Sequence, residues 1–91
     1  MKVKAALIFD QGLPKPYQKS RPVKVGQVDL SGPAKTEIMG QVVAAGVCHS
    51  DLSAVNGTRV RPVPMVLGHE GAGVVVEVGS LVTDVSVGDH V

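Results

Sequence analysis

Ninety-one residues with a net charge of +1 leave room for one small domain, since domains usually run to about 100–200 residues. The apolar fraction of 44% against 19% charged residues suits a folded chain and excludes a disordered polyelectrolyte. No lysine or arginine block stands anywhere: Lys2, Lys4, Lys15, Lys19, Arg21 and Lys24 are spread out between prolines and apolar residues, which reads as a solvated face and not a nucleic-acid surface.

Valine dominates the apolar set and the only aromatics are Phe9 and Tyr17, a β-branched composition that favours strands over helices. Val3, Ala5, Leu7 and Phe9 alternate with Lys2, Lys4, Ala6 and Ile8, which predicts a first strand with one buried face. Gly12, Pro14 and Pro16 break it. A second strand is expected over Val23 to Leu30. Its apolar phase slips at Gly26-Gln27, which predicts a β-bulge there, because a one-residue slip turns side chains to the other face.

Glu37 to Val47 reads as a longer strand, with so little volume at Ala44, Ala45 and Gly46 that another backbone or a ligand has room to approach. A short helix follows, with Ser50 as its expected cap, Leu52 and Val55 on one face, and Asn56-Gly57 as its stop. Arg59 to Pro64 is loop, kept extended by Pro62 and Pro64. Gly71 to Gly79 is a strand, and Thr83 to Gly88 a turn region before a last strand at Asp89-His90-Val91. The fold class expected is mainly β, a barrel-like unit with one short helix. The sequence stops as that last strand begins, which reads as a piece of a longer chain, because a terminal buried strand would lack backbone partners.

The single cysteine excludes an internal disulfide and fits a reducing compartment. Ala5 to Phe9 is too short for a signal-peptide core, and no stretch reaches the roughly 20 apolar residues of a membrane span. A cytoplasmic location and no membrane partner are therefore expected.

Titratable chemistry gathers in two places: Cys48-His49-Ser50-Asp51, and Gly68-His69-Glu70. The first follows a strand end and the second precedes a strand start, so the two junctions can meet at one end of a barrel. Thiolate, imidazole and carboxylate are ligands suited to Zn²⁺, and Cys48 sits where a helix N-terminus favours the thiolate. The spacing alone leaves a bland alternative open, with Cys48 a small buried hydrophobe and His69 a loop histidine. Gly71-Ala72-Gly73 is no dinucleotide loop, because a strand and not a helix follows it; close backbone packing is the better reading of those glycines.

Taken together, Gly46-Val47-Cys48-His49-Ser50-Asp51-Leu52 resembles the catalytic-zinc segment of zinc-dependent medium-chain alcohol dehydrogenases. Gly68-His69-Glu70, followed by Gly73, Gly79 and Val82, resembles that family's zinc signature. Pro64-Met65-Val66-Leu67 and Val87-Gly88-Asp89-His90-Val91 also look like the family. Ala34-Lys35-Thr36 departs from the Gly-Pro-Gly type turn usual there.

The resemblance implies a partial GroES-like β-barrel over residues 1–91, the N-terminal part of a catalytic domain, with the Rossmann NAD(P)-binding domain lying outside this chain. It implies Cys48 and His69 as ligands of a catalytic Zn²⁺, with Glu70 beside the metal and exchanging with bound water. Asp51 would fix the tautomer of the zinc-binding histidine, Ser50 would bond the substrate hydroxyl, and His49 would contact the cofactor pyrophosphate. Known members end the proton relay on a histidine where this chain has Ser53.

The implied activity is oxidation of alcohols to aldehydes or ketones by hydride transfer from a zinc alkoxide to NAD or NADP. The metal would supply the acidity, since zinc lowers the pKa of bound water from about 15.7 to about 7, and the cofactor would take the hydride. A small-molecule alcohol or aldehyde is the partner, and a homo-oligomer, dimer or tetramer, is expected of the parent. The 91 residues alone are expected to be inactive. The alternatives are a zinc-free quinone reductase, disfavoured by Cys48 and His69, and a non-catalytic GroES-like binding or assembly module.

Overall fold

The computed structural model describes all 91 residues. The chain divides into two units, one made of Lys2–Asp29 with Val47–His69, the other of Met1 with Leu30–Gly46 and Glu70–Val91.

The first unit carries β1 (Lys2–Ile8), α1 (Tyr17–Ser20), β2 (Val23–Asp29), α2 (His49–Val55) and β4 (Met65–Val66). β1 is central in a three-stranded sheet, antiparallel to β2 on one edge and to β4 on the other. The β1–β2 register runs without interruption from Lys2↔Asp29 to Ile8↔Val23, so the bulge expected at Gly26-Gln27 is absent. The inward phase of β2 is the even one: Pro22 is buried, Gly26 and Val28 are half-buried, and Val23 and Val25 face outward. The apparent slip in apolar phase arises because two exposed valines precede the inward positions. A Cβ on Gly26 would make an ordinary 3.5 Å contact with the Leu7 methyl, so no steric demand for glycine acts there.

β1 also corrects an expectation. The burial deepens on Ile8, which is fully enclosed, while Phe9 lies just past the strand and is 53% exposed. Ile8 packs with Ala54 and Val55 from the end of α2, and Tyr17, Met65 and Leu67 close around them. At the C-terminal end of β1 the helix thus draws inward the face opposite to the one marked by Val3 and Ala5. At roughly 1.5–3 kcal/mol for each fully buried aliphatic side chain, this small cluster is what fixes α2 against the sheet. β4 is only two residues long, extended by the Leu67 N–H donating to the Ala6 carbonyl at 2.9 Å. Neither β4 nor the single turn of α1 was expected, since both are too short to carry a periodic signal.

The second unit is built on β3 (Ile38–Gly46) and β5 (Glu70–Val78), antiparallel, with register shifts between Met39 and Gly40 and between Val42 and Ala44. One extra residue, Val76, therefore lies in β5 and the other, Val43, in β3. Gly73 is required here: a Cβ on it would collide with the Gln41 carbonyl oxygen across the ladder, which bears out close backbone packing as the reason for a glycine there. The other edge of β5 takes the last residues of the chain. Val75 N–H donates to Asp89 at 2.9 Å, Gly88 N–H to Val75 at 2.8 Å, and Gly73 and Val91 exchange bonds of 2.9 and 3.0 Å. Val75 is the most deeply buried side chain of this unit. The five β strands make the chain mainly β, in two sheets neither of which closes into a barrel. No helix is long and apolar enough to cross a membrane.

Candidate functional site

α2 begins where β3 ends. Cys48, with an extended backbone (φ −107°, ψ 151°), is the N-cap, one residue before His49, so Ser50 lies inside the first turn and not at the cap. Asp51 occupies the third helical position, where an acid is favoured by the unpaired N–H groups and by the helix dipole. Its Oδ2 accepts from the Cys48 N–H at 3.3 Å, and its own N–H donates to the Cys48 carbonyl at 3.0 Å. The helix stops as expected at Asn56, followed by Gly57 in the left-handed region at φ 84°.

The same Asp51 carboxylate gathers the second motif. Its Oδ1 accepts from the Gly68 N–H at 3.2 Å and from His69 Nδ1 at 3.3 Å. Gly68 holds φ 101°, a left-handed conformation that glycine alone adopts cheaply, and its N–H is spent on Asp51. The Asp51 pKa lies below the usual carboxylate value, chiefly because of the Cys48 N–H, against an opposing burial effect, with the Gly68 N–H and His69 adding to the fall. An ionised carboxylate can only accept, so Nδ1 of His69 carries the proton and Nε2 is the lone-pair nitrogen of the neutral ring. Ser50 Oγ lies 3.2 Å from that Nε2, placed to donate to it.

Cys48 Sγ and a ring nitrogen of His69 approach within 4.8 Å. The His69 pKa is raised, first by the hydrogen bond with the Cys48 side chain, against burial, and then by Asp51. A sulfur and an imidazole nitrogen at this separation, the imidazole oriented by a carboxylate, form a donor pair that suits Zn²⁺. Cys48, His49, Ser50, Asp51 and His69 thus lie together in one unit, as the two-junction reading expected. Glu70 is the next residue after His69 and the first of β5, in the other unit. His49 is engaged by Ser53, whose Oγ donates to the His49 carbonyl at 3.3 Å and stands 3.5 Å from His49 Nδ1.

One contributor went unnoticed in the sequence. The Gln11 side chain spans 43 to 50 positions to reach the far end of α2. Its Nε2 donates to the Ala54 carbonyl at 2.7 Å and to the Arg59 carbonyl at 2.9 Å, and its Oε1 accepts from the Arg61 N–H at 3.0 Å. A lone glutamine in a loop after a strand carries no signal that would have found it.

The sequence pattern of the alcohol dehydrogenase GroES-like domain matches residues 34–91. The chain belongs to that family. S-(hydroxymethyl)glutathione dehydrogenase of Escherichia coli is 45% identical over 92 aligned positions, covering the whole of this chain and 23% of that protein. Among solved structures, an alcohol dehydrogenase zinc-binding domain protein from Burkholderia ambifaria superposes with a TM-score of 0.85 at 37% identity, over 99% of this chain and 22% of that one. A quinone oxidoreductase of E. coli, solved with NADPH, superposes with a TM-score of 0.84 at 27% identity, over 97% of this chain and 26% of that one. The chain spans about a quarter of the length of the relatives it matches.

Proposed function

We propose that these residues are the N-terminal, zinc-ligating part of a zinc- and NAD(P)-dependent alcohol dehydrogenase, whose remaining metal ligand and dinucleotide-binding domain lie outside residues 1–91. The observation that carries this reading is the Cys48–His69 donor pair with His69 Nδ1 held by Asp51. Fold likeness does not choose among branches, since dehydrogenase-type and quinone-reductase-type neighbours superpose equally well. The donor pair favours the zinc branch, because a reductase that binds no metal has no use for a thiol and an oriented imidazole at these two positions.

In this reading Cys48 and His69 would hold the metal, which supplies Lewis acidity to a bound substrate oxygen. The work of the chain's own residues follows from the geometry. Asp51 keeps the proton on Nδ1, so that Nε2 is the lone-pair atom of the neutral ring. Ser50 Oγ, 3.2 Å from Nε2, would turn to a substrate hydroxyl once that nitrogen holds the metal, and accept a hydrogen bond from it. His49, with Ser53 Oγ 3.5 Å from its Nδ1, would present a ring nitrogen at the start of α2 to a cofactor phosphate. Ser53 cannot serve as the terminal base near neutral pH, so a proton passed on from Ser50 would end on the cofactor ribose, water or another group. The substrate class is a primary or secondary alcohol and its carbonyl product, handled by a homo-oligomeric enzyme in the cytoplasm.

The deciding experiment is Cys48→Ala in the full-length protein, with zinc content by mass spectrometry and NAD(P)-linked alcohol oxidation measured together. Loss of both metal and turnover is expected. Retained turnover without zinc would move the protein to the quinone-reductase branch, and a folded, metal-free, inactive wild type would favour a binding module.

A further inference from the structure

Glu70 and Gly46 are directly opposed across the β3–β5 ladder, at the last pair before β3 gives way to the Cys48 turn. A Cβ built on Gly46 would meet three atoms of one side chain first: Glu70 Oε1 at 2.7 Å, its Cβ at 3.5 Å and its Cδ at 3.6 Å. The Glu70 side chain therefore lies folded over the bare Cα of Gly46, its carboxylate occupying the space where any other residue would place a methyl group. Gly46 has no left-handed φ to explain its identity, and Gly71, another glycine of this ladder, meets nothing closer than 3.8 Å. The lack of a side chain at 46 has one visible beneficiary.

We propose that Gly46 is a positioning residue for Glu70: its bare Cα is the seat that holds the carboxylate at the end of the ladder, next in sequence to His69. The proposal rests on the zinc reading above for its consequence, but the seat itself is a matter of this chain alone. A carboxylate held in one place on the residue that follows a metal ligand in sequence has a defined role in retaining or exchanging the metal, whereas one sweeping through several rotamers does not. The obstacle that an alanine would meet is the far end of a flexible side chain and no backbone atom, so Gly46→Ala keeps the strand and displaces the carboxylate.

The test uses the full-length zinc-loaded protein and four variants: Gly46→Ala, Glu70→Ala, the two combined, and Gly40→Ala, whose nearest obstacle is an ordinary 3.7 Å contact. Crystal structures report the carboxylate position, and transfer of zinc to a colorimetric chelator reports its rate of release. Gly46→Ala is expected to move the carboxylate off the ladder end and to speed zinc release by about tenfold, the low end of the effect of removing a metal site's supporting group. In the Glu70→Ala background the same change should leave the release rate where Glu70→Ala alone puts it, and Gly40→Ala should match wild type. An unmoved carboxylate in Gly46→Ala, or equal acceleration with and without Glu70, would overturn the proposal. A wild type that retains no zinc would instead defeat the zinc reading, while the carboxylate displacement would still decide whether the seat exists.

Discussion

The amide of Gln11 offers the sharpest check on how α2 is held. Gln11→Ala removes three hydrogen bonds of 2.7, 2.9 and 3.0 Å at one stroke. A neutral protein hydrogen bond contributes about 0.5–1.5 kcal/mol net. Two of the three are open to solvent and only the bond to Ala54 is partly buried, so water recovers much of the loss, and the sum falls to about 1–2 kcal/mol. Gln11→Glu sharpens the test, because it keeps the shape and the acceptor for Arg61 but sets a carboxylate oxygen against the Ala54 and Arg59 carbonyls. It should cost more than Gln11→Ala. Urea unfolding followed by circular dichroism, with the slope unchanged between variants, gives both numbers. A Gln11→Glu protein as stable as wild type would refute the assigned amide orientation and the clamp with it.

Other expectations follow from the same contacts. Asp51→Asn, which cannot hold the proton on His69 Nδ1 as an ionised acceptor does, should weaken zinc binding by about 10–100-fold, measured by competition with a chelator of known affinity. In metal-free protein the Asp51–His69 pair gives stability a pH window. The lowered Asp51 contributes above its ordinary value of 3.8 and loses that contribution as pH falls through its folded pKa; the raised His69 contributes below 6.5 and loses it as pH rises through its folded pKa. Urea midpoints in EDTA should therefore show a contribution greatest between these values that Asp51→Asn reduces, while the share His69 draws from Cys48 stays. Gly79→Ala would drive a methyl group into the carbonyl oxygens of Ala34 and Lys35. Because those are backbone atoms, a loss of about 1–3 kcal/mol is expected, read by thermal melting, while Gly40→Ala should be close to neutral.

The parts of this structure legible in the sequence were those written in local chemistry. Asn56-Gly57 ended α2 because the chain needs a left-handed residue there, and Gly46 of β3 and Gly73 of β5 announced close approach, whereas Gly71 meets only an ordinary contact. The two motifs did meet, and the reason was partly visible: Asp51 at the third helical position is both a cap and a reach toward Gly68 and His69. What failed was phase. Lys2 and Lys4 fix which face of β1 is wet only at its beginning, and nothing local shows that Ile8 will be covered by Ala54 and Val55 from 46 positions onward. The slip at Gly26-Gln27 misled for the same reason: apolar Val23 and Val25 were counted as inward when the inward face there belongs to Pro22, Gly26 and Val28. The bulges of the β3–β5 ladder and the reach of Gln11 depend on partners far along the chain, and a single sequence does not record them.

The carboxylate of Asp51 has a consequence for how a metal would arrive. Twenty-one positions separate Cys48 from His69, and in many small zinc modules it is the ion that draws such distant ligands together, so that folding waits for metal. Here three hydrogen bonds to one side chain already close that loop. The ordering entropy is met by the polypeptide itself, and an incoming ion finds a prepared pair of donors. Loading should then proceed as a simple bimolecular encounter, with little change in secondary structure, and stripping the ion should leave an intact fold ready to be refilled.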